Sequence, residues 1–378
     1  MNAWELRKLS DIVVRLSKSS INNQLPKVEF EDIIASEGRL NKDVSHKFDD
    51  RKGILFEPNN ILYGKLRPYL KNWLFADFKG IALGDFWVFK PINSEPKFIY
   101  CLIQSDNYQR VANDTSGTKM PRSDWKKVSS SYFSIPRSIE EQEKIGNLFK
   151  QLDNTITLHQ RKLDKLKQLK QGYLQQMFLK NDEKVPRVRF ANFDDEWGQR
   201  KAKDIFKPRI EKGKPELPVL SVTQYNGVVY RDNVGINIKY DKNTLINYKV
   251  IHKNDFVISL RSFQGGFELS DKLGISSPAY TIFIPQDSKS HDSLFWKNQF
   301  KTYKFIESLK SVTFGIRDGK SISFSEFGTL KLRFPNQKHE QKLVGLLFEK
   351  LNHTIVLHQS KIEKLKLLKQ VLLQKMFI

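Results

Sequence analysis

The chain has 378 residues, with 64 Lys and Arg against 42 Asp and Glu, a formal net charge of +22. That excess points to a polyanionic partner, nucleic acid or an anionic membrane surface, while ordinary apolar content and abundant aromatics exclude a disordered chain. The single cysteine, Cys101, excludes an internal disulfide and any multi-cysteine zinc site, and no apolar run approaches the roughly 20 residues of a membrane span.

The first residues, Met1 to Glu5, carry no apolar signal-peptide core, so a reducing cytoplasm is the expected compartment. The run from Trp4 to Ile12 is followed by strand-rich sequence with two basic segments. The first, 63–69, is punctuated by Gly64 and Pro68 and carries Lys65, Arg67 and Tyr69. Residues 81–90 carry β-branched and aromatic runs between turn residues, in keeping with strand-rich sequence. The second basic segment, 116–122, carries Thr118, Lys119 and Arg122 around Gly117 and Pro121. Groups of these kinds on loops suit phosphate contacts and base edges.

After Pro136 the pattern changes to helix. Ile145, Leu148, Leu152, Ile156, Leu163, Leu166, Tyr173 and Met177 recur at steps that are mostly three and four. A helix of some 40 residues is about 60 Å long and cannot bury its own stripe. A polar, proline-bearing linker follows at 184–190, and then Trp197, Arg200, Lys201, Asp204 and Ile205 match Trp4, Arg7, Lys8, Asp11 and Ile12 at an offset of 193. Residues 250–260 carry similar β-branched and aromatic runs between turn residues. Arg261, Ser262 and Gln264, and later Arg317 and Lys320, occupy places that correspond to the basic segments of the first half. Gly117 and Gly315 each lie about 20 residues before the proline that opens a long helix.

The last stretch closes a repeat. Residues 335–378 align without a gap on 136–179, with about half the positions identical. Glu340-Gln341 repeats Glu141-Gln142, Leu357-His358-Gln359 repeats Leu158-His159-Gln160, and Met376-Phe377 repeats Met177-Phe178. The second stripe is Val344, Leu347, Leu351, Ile355, Ile362, Leu365, Leu372 and Met376. Two matching stripes in one chain predict an antiparallel coiled coil. His159 and His358 are read as polar seam residues that fix register, and the lysine-rich outer faces as solvated surface. The middles of the two modules do not align, which predicts one mechanical task with two different specificities.

Catalytic signatures are weak. The run from Gly315 to Ser321 has three residues between its first two glycines where a phosphate loop needs four. No Asn-Pro-Pro-aromatic run for amino-methylation occurs, and the seven histidines are scattered without metal-ligand spacing. Gly265-Gly266 is read as a tight turn. Asp77, Asp85, Asp255 and Glu268 are conceivable nuclease ligands, but no carboxylate set recurs in both modules.

The order of domain, long helix, domain, long helix resembles the specificity subunit of type I restriction–modification systems. The likeness is carried by residues 185–190 leading to Glu196-Trp197, by 64–70, by Asp85-Phe86-Trp87-Val88, by Ser277-Pro278-Ala279-Tyr280, and by the Glu-Gln pairs that open both helices. It covers the whole chain, except that the linker before Trp197 has no counterpart before Trp4.

The resemblance implies an α/β (α+β) protein arranged as a pseudo-two-fold tandem repeat. Residues 1–137 would be one target recognition domain and 181–336, with the linker, the other; 138–180 and 337–378 would be the paired helices. It implies one half of a split, asymmetric double-stranded DNA site for each domain, with docking of two modification subunits that use S-adenosylmethionine. Restriction subunits that use ATP and Mg²⁺ would join them, and this chain would hold no cofactor or metal and catalyse nothing. A nuclease or methyltransferase with its own active site, and a coiled-coil adaptor that binds protein alone, are the competing classes.

Overall fold

The computed structural model describes residues 4–115, 119–180, 183–223, 227–234, 242–259, 266–313 and 322–377. The chain divides into two compact units. Unit 1 is Met1–Arg161 with Gln359–Ile378, and unit 2 is Lys162–His358. Each unit therefore contains the opening turns of one long helix and the closing turns of the other. The helices span Ile139–Gln176 and Lys338–Met376, with glutamates in the first turn, where the helix dipole favours negative charge.

Unit 1 is tied together at its base by the strand Trp4–Lys8, antiparallel to Tyr132–Pro136. Above it lies an antiparallel four-stranded sheet in the order Val13–Leu16, Phe86–Pro91, Ile61–Gly64, Trp73–Phe75. A second sheet, ordered Ser19–Ser20, Gly53–Phe56, Gly80–Ala82, Lys27–Val28, shares its apolar layer with the first through Val28, Phe56, Leu62 and Val88. The helices Pro96–Gln104 and Asp106–Ala112 cover the other face. Glu95 and Ser105 cap them by accepting from Phe98 N–H and Tyr108 N–H.

Unit 2 repeats the base with Gly198–Lys201 against Lys331–Phe334. Its main sheet is ordered Phe206–Pro208, Thr281–Pro285, Phe256–Ile258, Phe267–Leu269, also antiparallel throughout. The two main sheets thus share one strand order, although the sequences do not align there. Backbone pairing accepts any apolar alternation, so the frame persists while the side chains diverge. The units differ at the sheet's margins. Unit 2 has the hairpin Leu220–Thr223 with Gly227–Tyr230, and the pair Lys249–Ile251 with Gly274–Ser276, where unit 1 has its second sheet.

In unit 1 the two helices run antiparallel, because Phe149 meets Phe377 at 6.4 Å between ring centroids while Asp153 bonds Lys369 at 2.6 Å. The repeated pair in unit 2, Phe348 and Phe178, lies at 5.8 Å. Most predicted stripe residues are buried or half-buried. Leu148 is the exception at 40% exposed, and its neighbour Phe149 takes the interior place. His159 and His358 are half-buried.

Candidate nucleic-acid interface

A set of residues common to both units positions everything else. In unit 1 the Trp4 indole N–H donates to Glu141 Oε1 at 3.1 Å. Buried Gln142 accepts from Glu95 N–H at 2.9 Å and donates to Pro136 O at 2.8 Å. Unit 2 does the same with Trp197 and Glu340 at 3.3 Å, and with Gln341 bonded to Asp292 N–H at 2.9 Å and Pro335 O at 2.8 Å. The Glu-Gln pair therefore fastens the strand base and the first short helix to the long helix. Arg189, from the linker, adds a bidentate bond to Glu340 at 2.7 and 2.8 Å.

Two glycines complete this frame. A Cβ on Gly146 would lie 2.7 Å from Lys97 Cβ and 2.9 Å from Phe98 N; one on Gly345 would lie 2.7 Å from Leu294 Cβ and 2.9 Å from Phe295 N. Only a residue without a side chain lets the short helix approach so closely. Phe377 then packs on Phe98 at 5.3 Å and on Trp4 at 6.2 Å. Phe178 packs on Phe295 at 5.5 Å and on Trp197 at 6.3 Å. Sequence inspection found the Glu-Gln and Met-Phe repeats without their roles, and it passed over Gly146 and Gly345, which repeat at the same offset.

On this frame unit 1 brings its two basic segments together. Residues 65–72 join the strands Ile61–Gly64 and Trp73–Phe75, while 119–123 approach from the side. Leu66 and Arg122 form an antiparallel bridge. Arg67 N–H donates to Pro121 O at 2.7 Å, and Ser123 N–H to Lys65 O at 2.9 Å. Lys65 and Arg122, far apart in sequence, share the Asp85 carboxylate at 3.5 and 3.0 Å. Burial pushes that carboxyl up, but the hydrogen bond and charge of Arg122, together with Lys65, outweigh it and hold it below the ordinary aspartate range. Asp85 therefore stays ionised and orients both cations. Arg67, Tyr69, Lys119 and Arg122 are exposed, and Lys65 is half-buried.

In unit 2 one corresponding segment falls, in chain order, between equivalent strands of the main sheet. Residues 259–266 join Phe256–Ile258 to Phe267–Leu269, as 65–72 join their strands. Arg261, Ser262, Gln264, Arg317 and Lys320, like Thr118 of unit 1, lie outside the described residues, as do Gly265 and the run 315–321.

The carboxylates considered as metal ligands are occupied differently. Asp85 faces two cations, buried Asp255 pairs with Arg209 at 3.2 Å, and Glu268 pairs with Lys301. Asp77 is exposed. Among the described residues no group of three or more His, Cys, Asp or Glu side chains is arranged to hold a metal ion. No described helix is long and apolar enough to cross a membrane.

Residues 1–168 match the family described as "Type I restriction modification DNA specificity domain". The fold over 99% of the chain is similar to the type I restriction–modification system S subunit from M. genitalium, with a TM-score of 0.64, 14% identity and 96% of that chain covered. It is also similar, over 99% of this chain and 97% of the other at TM-score 0.50 and 15% identity, to a chain from a structural study of type I restriction–modification complex assembly and conformational transition.

Proposed function

Because residues 1–168 match the type I restriction–modification DNA specificity domain family, we infer that this chain is the DNA sequence-specificity subunit of such a system. The observation that carries the inference is the cluster on unit 1. Two basic segments some 50 residues apart are bridged at one end of the main sheet's strands, with Lys65 and Arg122 oriented on a common ionised carboxylate. Cations held in fixed directions and flanked by exposed polar groups suit a duplex, where phosphates set the position and base edges set the sequence.

The chain reads a bipartite, asymmetric site, one half by each globular region. The equivalent sheet frames supply the same mounting, and the differing margins and loops supply two readings. The repeated helices carry the common work of spacing the readers and docking two modification subunits and the restriction subunits. S-adenosylmethionine, ATP and Mg²⁺ belong to those partners. The chain itself is non-catalytic and acts in the cytoplasm. The pairing of Asp85, Asp255 and Glu268 with basic side chains supports that reading over a nuclease centre.

Domain exchange tests it. Residues 1–135 are replaced by the equivalent region of a relative, and the methylated sequence is mapped in cells that carry the modification subunits. One half of the site should change and the other persist. A change in both halves, or in neither, would overturn the modular reading. Alanine at Arg122 or Arg317 should relax recognition of one half-site by about 1–3 kcal/mol, and an unaltered methylation map would remove that residue from the interface.

A further inference from the structure

The turn at the tip of unit 1's basic cluster is built differently from an ordinary surface loop. Arg67 and Lys71, at its two ends, both adopt left-handed backbone, with φ of 48° and 55°. That conformation is strained for residues with side chains and persists only where the surroundings fix it. Here they do. Arg67 N–H is tied to Pro121 O at 2.7 Å, Leu70 N–H to Arg67 O and Lys71 N–H to Pro68 O at 2.9 Å, and Ser36 N–H to Lys71 O at 2.9 Å. Gly64 N–H closes the base on Asn72 O at 2.7 Å, and Pro68 is buried beneath.

What this rigid turn presents is apolar. Tyr69 is 56% exposed and Leu70 41%, with Met120 on the bridged segment 51% exposed. The same two bridged segments carry Lys65, Arg67, Lys71, Lys119 and Arg122. An apolar tip inside a collar of cations needs a partner that offers anionic groups at the edge and flat apolar surface at the centre. Duplex DNA offers both, as phosphates and as the faces of its stacked bases.

We propose that Tyr69 and Leu70 form a wedge that enters a groove of the first half-site and partly unstacks one base step. The cationic collar holds the flanking phosphates. The proposal rests on the DNA-reading function inferred above. It adds an indirect component to specificity, because pyrimidine–purine steps open at lower energy than others, so the wedge favours such a step without hydrogen-bonding its bases. The strained ends of the turn fit this use, since a wedge that yielded on contact would transmit no distortion.

The test uses the full-length chain alone, so that no modification subunit disturbs the bases, and a duplex carrying the site mapped from methylated host DNA. Permanganate, which oxidises unstacked thymines, reports the distortion. Wild-type protein should produce a hyper-reactive thymine at one step of one half-site. The Tyr69→Ala/Leu70→Ser double variant should lose that signal and bind roughly tenfold more weakly, while Leu70→Met restores it on the otherwise wild-type turn. Because both side chains are exposed, thermal melting should be unchanged, which separates the effect from misfolding. Specific binding by wild type without hyper-reactivity, or hyper-reactivity that survives in the double variant, would overturn the wedge and leave the DNA-reading function standing. Absence of any sequence-preferring binding by wild type, with the double variant impaired only in subunit assembly, would overturn both and mark the tip as a protein contact.

Discussion

In unit 1, Lys369 near the end of the C-terminal helix donates to Asp153 at 2.6 Å and to Gln104 at 2.7 Å. Its repeat counterpart in unit 2, Lys170, stands in a different field. Asn352 occupies the place of Asp153, and Lys301, just before the cap Thr302, occupies that of Gln104, just before the cap Ser105. Burial, then the charges of Lys297 and Lys301, push the Lys170 pKa down. Lys301 is itself engaged by Glu268, and Lys297 by Glu349 at 3.5 Å. The apolar contacts of the same two helix ends are nearly identical. Packing of the helix ends is thus the duplicated invariant, and the charge beside it has drifted between a neutralised and a crowded arrangement. Packing tolerates little change of volume, whereas half-solvated charges cost little to rearrange.

The largest test of this contrast deletes the apolar anchor. Phe377→Ala should cost about 3–5 kcal/mol and loosen unit 1, including residues 4–8 and 96–104, in hydrogen exchange, while unit 2 keeps its protection. Phe178→Ala should give the reverse pattern. Equal loosening of both units by either change would break the equivalence of the two anchors.

Glycine substitutions sharpen it at a smaller scale. Gly146→Ala and Gly345→Ala each push a methyl against a neighbouring helix and should cost about 1–3 kcal/mol, read as a fall in melting temperature. Gly172, on the same long helix as Gly146, has no atom within 4 Å of an added Cβ. Gly172→Ala should therefore stabilise by about 0.5–1 kcal/mol, the ordinary helix preference for alanine. A loss at Gly172, or a gain at Gly146, would show that the close approach is not what selects glycine.

The smallest effect concerns charge. Asn352→Asp gives Lys170 the carboxylate that Lys369 has, and should stabilise unit 2 by about 0.5–1 kcal/mol at neutral pH. The sign with pH follows from the depressed lysine. The unfolded chain holds that proton more tightly, so the penalty is full at neutral pH and fades as pH rises toward the ordinary value of 10.5. Wild-type unit 2 should therefore gain stability as pH rises toward that value, and Asn352→Asp should flatten the gain. Denaturant melts at several pH values measure both, and an unchanged slope would mean that the two side chains do not meet.

Much of this protein is legible in its sequence. The gapless repeat at 199 residues and the Trp-led match at 193 are visible by comparing the sequence with itself, and the helical stripes follow from backbone periodicity. They fixed the duplicated frame, the long helices and the two basic segments. The identity of the main sheets was hidden, because a sheet's hydrogen bonds are made by backbone and leave no residue-by-residue signature. Leu148 misled for a related reason: steps of three and four mark a stripe about 100° wide, and only the partner helix decides that Phe149 faces inward. Three things needed the tertiary structure. They are the meeting of Lys65 with Arg122 on Asp85, the completion of each unit by the end of the other module's helix, and the strained turn that lifts Tyr69 and Leu70 into solvent. Each joins residues distant in sequence, and the energy of such contacts depends on where the rest of the chain has already placed them.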